Sequence, residues 1–92
     1  MAHVVCDQIS PGLRSSERIV AIKDVHGRTS YLRVEHGFLT QEAGKAWLPV
    51  GKIHEDLVRG LTLIEFPQEA ESGANRIWVR SRDLLEYYRA SA

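Results

Sequence analysis

The stretch Ile19-Val20-Ala21-Ile22-Lys23-Asp24-Val25-His26-Gly27-Arg28-Thr29-Ser30-Tyr31-Leu32-Arg33-Val34-Glu35 decides the fold class. Its first part, Ile19 to Ile22 with Val25, is rich in β-branched residues, which crowd a helix and pack well on a pleated sheet. Its last part, Tyr31 to Glu35, alternates polar and apolar residues, the pattern of a strand with one buried face. Between them Asp24 to Arg28 supplies turn chemistry, with Gly27 able to take the positive φ that a tight hairpin turn needs. The stretch therefore reads as an antiparallel hairpin.

Working toward the C-terminus, His36-Gly37 closes the second strand. Phe38 to Lys45 is a connection in which Thr40-Gln41-Glu42-Ala43 predicts one helical turn before Gly44. A third strand is expected over Ala46 to Ile53. Pro49 has no N–H for a ladder, so that strand is placed at an edge or given a bulge. Leu61-Thr62-Leu63-Ile64-Glu65-Phe66 is a fourth strand, stopped by Pro67. His54 to Gly60 joins the two as a second hairpin. The polar segment Gln68 to Asn75 reads as an exposed loop. Arg76-Ile77-Trp78-Val79-Arg80 alternates as a fifth strand. A short helix is expected over residues 81–90, with Ser81 as N-cap, Asp83 in its first turn, and Leu84, Leu85 and Tyr88 on one face.

Toward the N-terminus, residues 1–18 form an entry segment. His3-Val4-Val5-Cys6 reads as a short edge strand, and Ser10-Pro11-Gly12 and Ser15-Ser16 as turn and loop. The whole chain, residues 1–92, is long enough for one core only. The expected fold is mainly β: a small SH3-like, five-stranded, bent antiparallel sheet or barrel over residues 19–80, followed by the short C-terminal helix. A ferredoxin-like fold would need two helices of about a dozen residues.

The Val50-Gly51-Lys52-Ile53 strand, the Gly60-Leu61-Thr62-Leu63-Ile64 strand, a Gly-containing loop, and Arg76-Ile77-Trp78-Val79 leading into Ser81 to Leu85 resemble the PRC-barrel pattern. The resemblance covers roughly residues 50–86. The chain departs from that pattern by placing a full hairpin, residues 19–36, ahead of the Gly-Lys strand. The resemblance implies an adaptor-like barrel that docks proteins, RNA-associated partners or other macromolecules, and it transfers no catalytic residue.

Composition narrows the function classes. Twelve Lys+Arg balance twelve Asp+Glu, and 43% of residues are hydrophobic. A dedicated binder of phosphate backbones or anionic membranes usually carries a basic excess. By segment the ends are mildly basic and residues 37–75 are acidic, which suits a protein partner better than a phosphate backbone. The single Cys6 cannot close an intramolecular disulfide, which points to a reducing cytoplasm. The N-terminal residues show no signal peptide, and no apolar run approaches the roughly 18 residues that span a bilayer.

Catalytic and metal-binding patterns are weak. His3, His26, His36 and His54 have no helical i, i+4 spacing and no neighbouring cysteine, and they read as exposed turn residues. His54-Glu55-Asp56 are consecutive, so their side chains diverge. Cys6 lies beside Asp7, which opposes thiolate formation, and reads as a half-buried structural residue. The sequence implies no enzyme, cofactor or metal.

Arginine and aromatics carry the one functional signal. Nine of the basic residues are Arg. Tyr31 shares a strand face with Arg33, and Trp78 with Arg76 and Arg80, opposite the aliphatic set. Trp47 alternates with Leu48 and Val50. The expected function is a non-catalytic protein-binding or adaptor module using Tyr31, Arg33, Trp47, Trp78 and Arg80. Three alternatives stand beside it. The same face could stack single-stranded nucleic acid. The terminal helix could instead cover the rings as a second core layer, and an open edge near Pro49 or a large Trp patch could form a homodimer.

Overall fold

The computed structural model describes residues 2–86. Among the described residues, nine strands run in chain order: β1 (Ala2–Val5), β2 (Gln8–Pro11), β3 (Glu17–Lys23), β4 (Thr29–Glu35), β5 (Thr40–Glu42), β6 (Lys45–Asp56), β7 (Leu61–Glu65), β8 (Arg76–Arg80) and β9 (Leu84–Glu86). They form two antiparallel sheets rather than a closed barrel. One has the order β8-β7-β6-β1-β9, with β5 also paired to β6, and the other is β2-β3-β4.

The opening hairpin forms as its pattern requires. β3 and β4 pair from Glu17↔Glu35 to Lys23↔Thr29. Asp24 Oδ1 accepts the N–H of His26 and of Arg28 in the turn. Along β4, burial alternates residue by residue: Ser30, Leu32 and Val34 face in, while Tyr31 and Arg33 face out. Val20 and Ile22 of β3 join Leu32 and Val34 in a core that also takes Val4, Leu48, Ile64, Ile77 and Val79 from the larger sheet. The two sheets thus bury one shared apolar layer, the driving term for a chain of this size.

β6 organises the larger sheet. Its first half pairs with β1 on one side and β5 on the other, and its second half pairs with β7. The register shifts between Lys52 and His54, so Ile53 and His54 together oppose Leu63 in a β-bulge that bends the strand. Pro49 lies inside the sheet, opposite His3, between the residues where β5 ends and β7 begins. β6 is flanked there by a described ladder on one side only, which is how a central strand accommodates proline. The bulge sits at Ile53, not at Pro49.

Several expectations are corrected. Residues 1–18 are more than an entry segment: β1 lies between β6 and β9, so it is interior rather than an edge strand. Ser10-Pro11 belongs to β2, which pairs with β3. Cys6 N–H still bonds to Ala46 O while Asp7 N–H bonds to Ala21 O, so the chain changes sheet between these residues. Thr40 to Glu42 is strand β5, because Ala43 and Gly44 both take positive φ and close a tight hairpin turn onto β6. The preceding 3-10 turn is His36–Phe38. Ser81–Asp83 is a single 3-10 turn, and Leu84–Glu86 pairs with β1 instead of continuing a helix. The expected helix over residues 87–90 lies outside the described residues. His3 is buried on β1, unlike the exposed turn histidine expected there.

Candidate functional site

The outer face of β4 presents Tyr31 and Arg33 two residues apart on one strand. Tyr31 is 46% exposed, and its register partner on β3 is Ala21. The loop after β7 braces the free edge of β4. Glu71 N–H donates to Tyr31 O at 2.8 Å. The Gln68 amide Nε2 donates to Arg33 O at 2.6 Å. Arg33 Nε donates to Glu71 Oε1 at 3.3 Å. That loop is itself anchored by Ala70, which is buried in the core, and by its N–H bond to Ala74 O. The result is an exposed aromatic ring whose main chain is held on both sides, next to a guanidinium oriented by a carboxylate.

Trp78 and Arg80 lie on the outer face of β8. Trp78 opposes Leu63, which opposes His54 across the bulge. The Trp78 and His54 rings meet edge to face, with centroids 6.0 Å apart. The ring is half-buried in this row, while Arg80 is exposed. Trp78 O also accepts the N–H of Val25, tying β8 to the β3–β4 turn.

Trp47 occupies a third place. It lies on β6 between Thr40 and Val5, and its Nε1 donates to Glu42 O at 3.0 Å. Seven residues of strand separate it from His54 in the Trp78 row, roughly 20 Å at the usual rise per residue. The five residues singled out by the sequence therefore fall into three groups: Tyr31 with Arg33, Trp78 with Arg80, and Trp47 alone.

The residues considered for catalysis do different jobs. Glu55 receives the Lys52 ammonium at 3.1 Å, and Lys52 also bonds Glu86. These hydrogen bonds, to Glu86 first and Glu55 second, raise the Lys52 pKa above its ordinary value. Asp56 Oδ1 accepts the N–H of Arg59 in the β6–β7 turn. His54 meets Trp78 edge to face. Cys6 is half-buried, and desolvation pushes its thiol up to about 12, which disfavours the nucleophilic thiolate. Among the described residues, no three His, Cys, Asp or Glu side chains are grouped to hold a metal ion. No helix among them is long and apolar enough to cross a membrane.

Two features lie outside what the sequence predicts. The bracing roles of Gln68 and Glu71 depend on contacts more than thirty positions away in the chain and leave no local signal. Leu57 and Val58, at the tip of the β6–β7 hairpin, are 82% and 98% exposed. An apolar pair where turns usually carry Asn, Asp or Gly was a readable anomaly. Comparison of the chain with protein-family models, with curated proteins and with solved structures finds no match in any of the three.

Proposed function

We propose that the chain is a non-catalytic protein-binding or adaptor module with a small SH3-like architecture, and that Tyr31 and Arg33 form the centre of its binding face. The observation that supports this is the braced main chain beneath an exposed ring. A tyrosine held at its own carbonyl and at the next outward residue loses little freedom on binding, so more of the contact energy goes into affinity. Tyr and Arg are also the residue types that dominate binding hot spots. Trp78 and Arg80 extend the surface as a second, half-covered contact.

A protein partner fits this face better than a nucleic acid. Arg33 is engaged by Glu71 and Arg76 by Glu65, so two of the outward cations already face carboxylates. A phosphate backbone would displace these acids at an electrostatic cost. The resemblance of residues 50–86 to the PRC-barrel pattern carries the same adaptor implication. Free Cys6 fits the reducing cytoplasm in which we place the protein.

Photo-crosslinking tests the proposal. A benzophenone amino acid replacing Tyr31 should capture one discrete protein from the source cell after nuclease treatment, and the same probe at Val58, 98% exposed in the β6–β7 turn, should not. Capture that disappears with nuclease assigns the face to nucleic acid. Equal labelling from both positions contradicts a binding face at Tyr31.

A further inference from the structure

The segment that braces Tyr31 carries an unbalanced charge. From Pro67 to Asn75 the chain holds Glu69 and Glu71 and no basic residue. The Gln68 amide reaches Arg33 O and the Glu71 N–H reaches Tyr31 O, so the segment runs along the edge of β4 with Glu69 between the two anchors. Ala70 turns into the core, whereas its neighbours Glu69 and Glu71 are both exposed. Glu71 spends its charge on Arg33. Glu69 has no ion pair among the described residues.

The other charges of the small sheet cancel where they stand. Lys23 faces Asp7 at 3.9 Å, Arg14 faces Glu35 at 3.0 Å and Arg33 faces Glu71 at 3.3 Å. Asp24 and Arg28 share the β3–β4 turn, where Asp24 Oδ1 accepts the Arg28 N–H. Glu17 and Arg18 are adjacent on β3. One carboxylate is left over, and it lies beside a tyrosine that is 46% exposed. The face of an aromatic ring is itself electronegative, so the ring and Glu69 favour a ligand of the same sign. Arg33 would repel a cation arriving there, but Glu71 already neutralises it.

We infer that the partner presents a Lys or Arg side chain to this face, its cation lying over the Tyr31 ring and pairing with Glu69. The inference rests on the reading of Tyr31 as the centre of the binding face and adds the charge of what binds it: a basic protein segment. An acidic segment would meet Glu69 as a like charge. The contact is exposed, so its electrostatic part is screened by salt over about 10 Å at 0.1 M. Rim charges of this kind set the rate of encounter and the choice of partner.

The Tyr31 benzophenone chain tests this in three forms: with Glu69 intact, with Glu69→Gln and with Glu69→Lys. Glu69 is exposed, so all three should share one urea midpoint. At about 50 mM salt, capture should fall roughly tenfold or more in the Glu69→Lys chain and by less in the Glu69→Gln chain. Raising salt to about 500 mM should weaken capture by the intact chain and restore it in the Glu69→Lys chain, because attraction is screened in one and repulsion in the other. The cross-linked segment of the captured protein should contain Lys or Arg, and changing that residue to Gln should remove the sensitivity to position 69. Equal or stronger capture by the Glu69→Lys chain overturns the inference, as does a cross-linked segment without a basic residue, and both leave the binding face standing. An intact chain that captures no protein refutes the binding face and this inference with it.

Discussion

Replacing Leu48 by Ala probes the packing of the two sheets at its centre. Leu48 is 0% exposed on β6, opposite Val4 of β1, in one apolar cluster with Val20 and Ile22 of the facing sheet. The substitution removes three carbons from water-free surroundings, about 2.4 kcal/mol at ~0.8 kcal/mol per methylene. A cavity contact term is added because neighbours anchored in two different sheets close in only partially, which brings the loss to about 3–4 kcal/mol. A chain of this length has a total stability of about 5–14 kcal/mol, so the variant should remain folded but lose a large share of its margin. Urea titration should give a lower midpoint at an unchanged m-value, and the thermal midpoint should fall by about 15–25 °C. Val58→Ala, at a position 98% exposed, supplies the contrast and should change stability by no more than ~0.5 kcal/mol. A loss below ~1 kcal/mol for Leu48→Ala, or equal losses for the two variants, would refute the assignment of β6 faces.

The thiol of Cys6 and the hydroxyl pair at the foot of β7 give further checks. With its pKa raised from 9.0 to about 12, Cys6 at pH 8 should react with a thiolate-selective reagent about 1,000-fold more slowly in the native chain than in urea; a ratio within tenfold contradicts its burial. Because the folded value is the higher one, the unfolded chain loses this proton first. The stability that Cys6 contributes is present below pH 9 and declines as the pH rises toward about 12, and Cys6→Ser should flatten that part of the pH–stability curve. Thr62 is buried, and its Oγ1 lies 2.7 Å from Ser81 Oγ, linking β7 to the 3-10 turn before β9. Thr62→Val should cost about 1–2 kcal/mol, and combination with Ser81→Ala should cost less than the two single losses together, whereas strict additivity in a double-mutant cycle denies the bond.

Local pattern sufficed wherever neighbours in sequence are neighbours in the sheet. The β3–β4 and β6–β7 hairpins, and the strand Arg76–Arg80, were readable because turn residues and alternation act within a few positions. The termini were not readable, because their structure comes from long-range pairing. Leu84 and Leu85 suit an amphipathic helix equally well, and it is pairing with β1, eighty or more positions earlier, that holds them extended. β1 has four residues and becomes interior only because β6 and β9 flank it. Pro49 reads as an edge or bulge signal, yet a central strand tolerates it where the flanking ladder passes from β5 to β7. The candidate site was half legible. Alternation placed Tyr31 and Arg33 together on the outward face, but it did not reveal that Trp47 lies apart or that a distant loop braces Tyr31.

In the proposed function Tyr31 anchors a protein partner. Once crosslinking has supplied that partner, its affinity for wild-type chain and for Tyr31→Ala should be compared by titration calorimetry. An exposed ring half outside the core leaves the fold intact when truncated, so the urea midpoint serves as the control. Tyr31→Ala should lose about 30-fold or more in affinity, the size expected of a hot-spot tyrosine, at unchanged stability. Equal affinity for the two chains would contradict it.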